Sequence, residues 1–258
     1  EGDAAARTIT LFGHTGTTLN NYDVDWGDGT AIETGITTVD KTHEYASDAS
    51  IKTYTVTITD QFGGLRMQRS PQANSDKLTK FANWGTSQVN GWYGMFYNCG
   101  NMLYEATDAP DNTNLISQYA TRFEYVFFNC ESITALDLSG WENVSNFTTG
   151  YEPFKGLDNC TSFNLSGWDL SNSTSFFRAF HYLGLNVGCD VNLSNVNLSN
   201  ATTGQMFGYV NFSVAPNFTN LDLSGLTLMN SFFYATDGAV AIDLTDINFT
   251  NAITNWSF

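Results

Sequence analysis

Leu136-Asp137-Leu138-Ser139-Gly140-Trp141 returns as Phe163-Asn164-Leu165-Ser166-Gly167-Trp168 and as Val191-Asn192-Leu193-Ser194-Asn195-Val196. It returns again as Leu221-Asp222-Leu223-Ser224-Gly225-Leu226 and as Ile242-Asp243-Leu244-Thr245-Asp246-Ile247. The central leucines, Leu138, Leu165, Leu193, Leu223 and Leu244, recur at roughly 20–30 residues, the mark of a repeat array. In each copy, apolar residues at i and i+2 project to one side of a short strand. Ser-Gly turns the chain, and the next Trp or Val re-enters the core. One unit has no second layer to cover its own apolar face, so neighbouring units stack and share a core.

A second motif lies between these copies: Met95-Phe96-Tyr97-Asn98-Cys99, Phe127-Phe128-Asn129-Cys130, Leu157-Asp158-Asn159-Cys160, then Cys189. Its position between strands predicts a single helical or 3₁₀ turn on the far side of each unit. The cysteines recur at an almost constant step of roughly 30 residues, within the range of solenoid repeats. One cysteine per unit at one phase predicts a structural column of buried thiols, Cys99, Cys130, Cys160 and Cys189. A Cys99–Cys130 disulfide is the alternative. Spacing this wide, with no histidine near, does not suggest zinc. Asn and Thr at equivalent positions predict hydrogen-bonded ladders between units. The same consensus generates 12 N-x-S/T sequons between Asn143 and Asn255.

Residues 7–62 have a different pattern. Tyr54, Val56 and Ile58 alternate with threonines, and Tyr22-Asp23-Val24-Asp25-Trp26 is a further strand candidate. It runs into Gly27-Asp28-Gly29-Thr30, a turn signal. Short strands with Gly and Asp turns predict a β-sandwich. Trp26-Gly27-Asp28-Gly29-Thr30, Thr42-His43-Glu44-Tyr45 and the strand from Tyr54 to Asp60 together resemble a PKD domain. That family carries a W-x-F-G-D-G-type turn, an H-x-Y and a closing Y-T-V-T strand. The resemblance implies an immunoglobulin-like spacer or binding module, shortened at its N-terminus, with His43 structural. Asp23, Asp25 and Asp28 are a weak calcium candidate, and no other cofactor is expected.

The repeats resemble the BspA-type leucine-rich repeat surface proteins of bacteria, whose unit reads roughly M-F-x-x-C-x-x-L-x-x-L-D-L-S-x-W-D-x-S-N-V-T. Trp168-Asp169-Leu170-Ser171-Asn172-Ser173-Thr174 and Trp141-Glu142-Asn143-Val144-Ser145-Asn146 follow it closely. The later units depart from it: Val196, Leu226 and Ile247 replace the Trp. The expected organisation is mainly β, with a PKD-like sandwich over 1–72. A leucine-rich repeat solenoid of about six coils, with short strands and short helical turns, follows over 73–258.

The chain has 258 residues, ten Lys and Arg against 26 Asp and Glu, and a net charge of -16. Residues 83–258 carry only three of the ten cations. No basic field exists to displace counterions from phosphate, which argues against nucleic acid or anionic membrane as a partner. No apolar run approaches the roughly 20 residues that span a bilayer, so no membrane insertion is expected. The chain opens on Glu1 with no leader behind it, as expected of a processed chain or a piece of a longer one. His14, His43 and His181 sit in no catalytic motif, so the chain is not expected to be an enzyme.

Trp92, Tyr93, Tyr97 and Tyr104 are the candidate binding residues; Tyr119, Phe123, Tyr125 and Phe128 crowd the following unit. Exposed rings among them would stack on sugars or anchor a protein. Ile253, Trp256 and Phe258 begin a further coil, a candidate end for self-association. The expected function is adhesion to a protein or glycan at a cell surface, outside the cell. The alternative is a structural subunit: a virion fibre or decoration protein at the virion surface, or a surface filament protomer.

Overall fold

The computed structural model describes residues 7–14, 21–47, 51–85, 89–113, 120–202, 204–227, 229–230, 232–236, 240–250 and 256–257. These residues form a mainly β structure with very little helix. Five strands lie in the first part: β1 (Thr8–Phe12), β2 (Asn21–Asp25), β3 (Glu33–Ile36), β4 (Asp40–Glu44) and β5 (Thr57–Gln61). β1 pairs antiparallel with β4, and β2 lies between β3 and β5, antiparallel to both. Tyr22 and Val24 point inward from β2 and share a core with Leu11, Trp26, Ile36 and Phe62.

β5 begins at Thr57, later than the alternation predicts. The Tyr54 ring stacks on Tyr45 at 4.2 Å, and the Thr55 carbonyl presses on the turn after Trp26. A Cβ at Gly27 would collide with that carbonyl oxygen, and φ there is 75°, so the position demands glycine.

A 3₁₀ turn (Met67–Arg69) and a short helix α1 (Gln72–Ser75) follow. They tie the chain back to β1 and β4. Asn74 accepts from the Thr10 N–H at 2.9 Å and donates to the Thr10 carbonyl at 3.0 Å. Arg69 pairs with Asp40 at 2.8 Å. Leu65 packs against both the first core and a second, which runs from Met67 to Ile247.

In the second part the strands are β6 (Lys80–Phe81), β7 (Leu103–Tyr104), β8 (Ala135–Asp137), β9 (Ser162–Asn164), β10 (Asp190–Asn192), β11 (Met229–Asn230) and β12 (Trp256–Ser257). Every pairing among them is parallel: β6 with β7, β9 with both β8 and β10, β11 with β12. Single bridges extend the pattern into two columns. One holds Asp137, Asn164, Asn192 and Asn217. The other holds Asp169, Asn197, Asp222 and Asn248. Both columns repeat at roughly 25–30 residues, a period typical of stacked repeats.

This corrects the sequence alignment. Leu221-Asp222-Leu223 belongs beside Val196-Asn197-Leu198, not beside Val191-Asn192-Leu193. The motif occurs twice in a unit, as at Asn192 and again at Asn197, and both occurrences make the same turn. The Asx Oδ1 accepts the N–H two residues on: at 3.0 Å for Asp137 and Asn164, 3.1 Å for Asn197 and 2.9 Å for Asp222. Asp and Asn serve equally here, which is why they interchange, and an Asn before x-Ser or x-Thr reads as a sequon.

The expected ladders are present. Thr148 N–H donates to the Thr121 carbonyl at 2.8 Å, Thr174 to Thr148 at 3.0 Å and Thr202 to Thr174 at 3.2 Å. Asn129 donates to Asn98 Oδ1 at 3.1 Å, Asn186 to Asn159 Oδ1 at 3.1 Å and Asn220 to Asn195 Oδ1 at 3.0 Å. Such bonds give a low-charge, polar surface its cohesion.

Inside, Phe96, Phe127, Phe154, Phe180, Phe207 and Phe233 form a column of rings with centroids 4.9 to 6.0 Å apart. The segments around these rings are not the single helical turns that the sequence predicts. They are successive tight turns with left-handed residues two before and two after the buried Phe. Asn98, Asn129, Tyr182, Tyr209 and Ala235 follow it, with φ of 49° to 62°; Tyr125, Glu152, Arg178 and Gln205 precede it, with φ of 48° to 65°. A non-glycine residue there costs roughly 1–2 kcal/mol. The ladder offsets the strain: Tyr125 N–H donates to the Tyr151 carbonyl at 3.0 Å, Glu152 to Phe177 at 2.9 Å and Tyr209 to Tyr234 at 2.8 Å.

Ala235 isolates this strain, because its exposed methyl group contributes little packing. Ala235→Gly is therefore expected to raise stability by about 0.5–1 kcal/mol, measured by urea denaturation. A loss would mean that the left-handed conformation is not strained there.

Candidate binding face

The residues flanking the buried Phe column point outward together. From one end of the stack to the other they run through Tyr93, Tyr97, Tyr125, Phe128, Tyr151 and Phe177, then on to Tyr182, Tyr209 and Tyr234. Tyr97 stacks on Phe128 at 4.7 Å, Tyr151 on Phe177 at 5.2 Å and Tyr182 on Tyr209 at 5.1 Å. Tyr125 bridges the first units, 5.8 Å from Tyr93 and 5.3 Å from Tyr151.

All three cations of residues 83–258, Arg122, Lys155 and Arg178, lie on this face. Arg122 sits 4.5 Å from the Tyr93 ring centroid, Lys155 5.2 Å from Phe128 and Arg178 5.0 Å from Phe177. Arg66 also lies against the Tyr93 ring, at 4.9 Å. Glu124 pairs with Arg122 at 2.5 Å; the buried Glu152 lies 3.0 Å from Lys155 and 3.6 Å from Arg178.

Beyond Arg178 the face opens into a pocket of about 310 Å³. His181 forms its base, 8% exposed. Burial, with Arg178 and Lys155 nearby, pushes its pKa down to about 4, so the ring is neutral at ordinary pH. Gly208 makes room for it: a Cβ there would collide with His181 Nε2.

Of the residues singled out from sequence, Tyr93 and Tyr97 are on this face. Trp92 is not, which corrects the expectation: its side chain is fully buried among Trp84, Phe123, Trp141 and Phe147. Tyr104 leans on the core, and its hydroxyl accepts a 2.9 Å bond from Trp84 Nε1. Phe123 is core, and Tyr119 lies outside the described residues. Of the pocket residues only His181 is named from sequence, as a histidine outside any catalytic motif; three lone cations inside aromatic segments are the signal that points to the rest.

Asp23, Asp25 and Asp28 do not converge on a cation site. Asp23 accepts from Gly35 N–H at 2.8 Å, Asp25 from Gly27 N–H at 2.9 Å and Asp28 from Thr30 at 3.0 and 2.6 Å. Asp28 also holds His43 Nε2 at 2.9 Å, and the His43 ring stacks on Trp26 at 4.7 Å. The Thr30 and His43 bonds hold the Asp28 carboxyl down at about 2. Among the described residues no three His, Cys, Asp or Glu side chains group to hold a metal.

The four cysteines are free and fully buried. Burial pushes the Cys99 thiol up to about 12, which makes it a poor nucleophile. Ile253 and Phe258 lie outside the described residues; the Trp256 backbone pairs with Met229. No helix among the described residues is long and apolar enough to cross a membrane. Comparison with protein-family models, with curated proteins and with solved structures finds no match.

Proposed function

We propose that the protein is a non-enzymatic extracellular surface protein that adheres to a protein or glycan ligand through its aromatic face. In this reading a PKD-like β-sandwich leads into a BspA-type leucine-rich repeat solenoid, exposed at a cell or virion surface. Two small antiparallel sheets around one core support the first part. Parallel pairing at a near-constant period supports the second.

One observation carries the adhesive reading. A chain of net charge -16 places all three cations of residues 83–258 on one face, each against a ring of an extended aromatic run. Rings of this kind contribute by stacking on apolar ligand surface, and cations by directional hydrogen bonds. Single contacts of about 1 kcal/mol are weak, and display of many copies multiplies them.

The test is binding of the immobilised chain to a glycan array and to intact cells. The Tyr97→Ala/Tyr151→Ala/Phe177→Ala variant is expected to lose at least tenfold in binding. Asp190→Asn, at an exposed position of β10, keeps it. Equal binding by both variants would place the adhesive surface elsewhere.

A further inference from the structure

We propose that the pocket at Arg178 is a subsite for one sugar unit bearing a carboxylate, a uronic or sialic acid residue of a larger glycan. The inference rests on the adhesive face being a glycan-binding one, and it names the unit that the face selects.

Size sets the first limit. A pocket of about 310 Å³ lies at the small end of the range for organic ligands, roughly 300–1,000 Å³. It has room for one pyranose ring, with the rest of a chain lying along the aromatic run.

The walls set the second. Tyr182 and Tyr209 stack at 5.1 Å and 29°, and Tyr234 meets Tyr209 edge to face at 5.3 Å and 85°. A flat ring matches the axial C–H face of a pyranose, and the phenol hydroxyls offer donors and acceptors to sugar hydroxyls. Neutral His181 adds a group able to donate or accept at the base.

The cations set the third. Lys155 and Arg178 both border the pocket, and Glu152 behind them balances one charge. One net positive charge is left in a chain that is otherwise strongly acidic. Arg178 Nε donates to Gln205 Oε1 at 3.1 Å, which fixes the plane of the guanidinium. Its Nη1 lies 3.6 Å from Glu152, beyond hydrogen-bond distance. A planar guanidinium held in this way can meet a carboxylate in parallel bonds, in exchange for the long contact with Glu152. A neutral sugar would use the rings but leave the cations unmatched.

Titration calorimetry and ligand-observed NMR on the full chain test this, with glucuronate, N-acetylneuraminate, glucose, glucuronate methyl ester and a Glu-rich peptide as probes. At least one acidic sugar is expected to bind ten times more tightly than glucose or the ester. Arg178→Gln abolishes that preference and leaves ring-dependent binding of glucose. Tyr182→Ala weakens every sugar, and Asp190→Asn changes nothing. Circular dichroism and melting curves confirm that each variant folds. Equal binding of glucose and glucuronate, lost in Tyr182→Ala, would overturn the acid-sugar subsite while leaving the glycan face standing. Preference for the peptide would overturn the sugar assignment. No binding of any probe, with a negative glycan array, would overturn both.

Discussion

Trp168→Ala lowers the unfolding free energy by about 3–5 kcal/mol, the usual cost of removing a buried aromatic ring. Trp168 is 1% exposed, and its ring packs on Trp141 at 5.8 Å, Phe123 at 5.6 Å and Phe147 at 6.2 Å. Its Nε1 donates to the Leu138 carbonyl at 2.7 Å, a bond that crosses from one repeat to the preceding one. The residue therefore joins neighbouring units through packing and hydrogen bonding at once. Whole domains have only about 5–15 kcal/mol of stability, and stacked repeats depend on their nearest-neighbour interfaces. Trp168→Phe keeps most of the ring and loses the bond, at about 1–2 kcal/mol. Thermal and urea unfolding of both variants measures the difference. A loss below about 1 kcal/mol for the alanine variant, far under the usual range, would mean that the ring does not bridge the units.

The second large effect is a loss of stability on mild acidification. His14 is fully buried, and burial together with Arg66 and Arg69 pushes its pKa down to about 3. His181 lies at about 4 for the reasons given above. Both values fall below the 6.5 of an unfolded histidine, so the unfolded chain binds protons that the folded chain refuses. Stability is complete above pH 6.5 and falls as pH drops toward the folded values. Each histidine contributes at most about 1.4 kcal/mol per pH unit. From about pH 6.5 to 5, before ordinary carboxylates take up protons, the expected loss is about 2–4 kcal/mol. Urea titrations at pH 7.5, 6.5, 5.8 and 5.0 read it, and His181→Gln should roughly halve the slope. Stability that stays level or rises over this interval would contradict the burial of both rings.

The β character of the chain was legible because alternation is a local property. Tyr22 and Val24 face one core, as their spacing implies. The ladders were legible too, since Thr148, Thr174 and Thr202 recur at a period that stacking alone brings together. Register was less so. Each unit holds two copies of the Asx turn, and the copy at Asp222 has the sharper Leu-Asp-Leu-Ser sequence, while Asn192 pairs with the plainer Asn217. The binding face was half legible. Tyr93 and Tyr97 were found by aromatic density, which also brought in the buried Trp92. Hydrophobicity alone does not separate a core ring from a surface ring in a segment of alternating left-handed turns. The pocket joins Lys155, Arg178, Gln205 and Tyr234, which come from four successive units, and only the stacking register brings them together.

That register is the claim on which the face depends, and paired cysteines test it directly. Directly paired Cα atoms on neighbouring strands, about 4.8 Å apart, are in range for a disulfide or a short thiol bridge. The four native thiols are buried and shielded from the reagent. Asn197→Cys/Asp222→Cys is expected to cross-link with dibromobimane, as is Asn192→Cys/Asn217→Cys, whereas Asn192→Cys/Asp222→Cys is not. Cross-linking of the last pair, with failure of the first two, would restore the alignment read from Leu221-Asp222-Leu223 and dismantle the aromatic face.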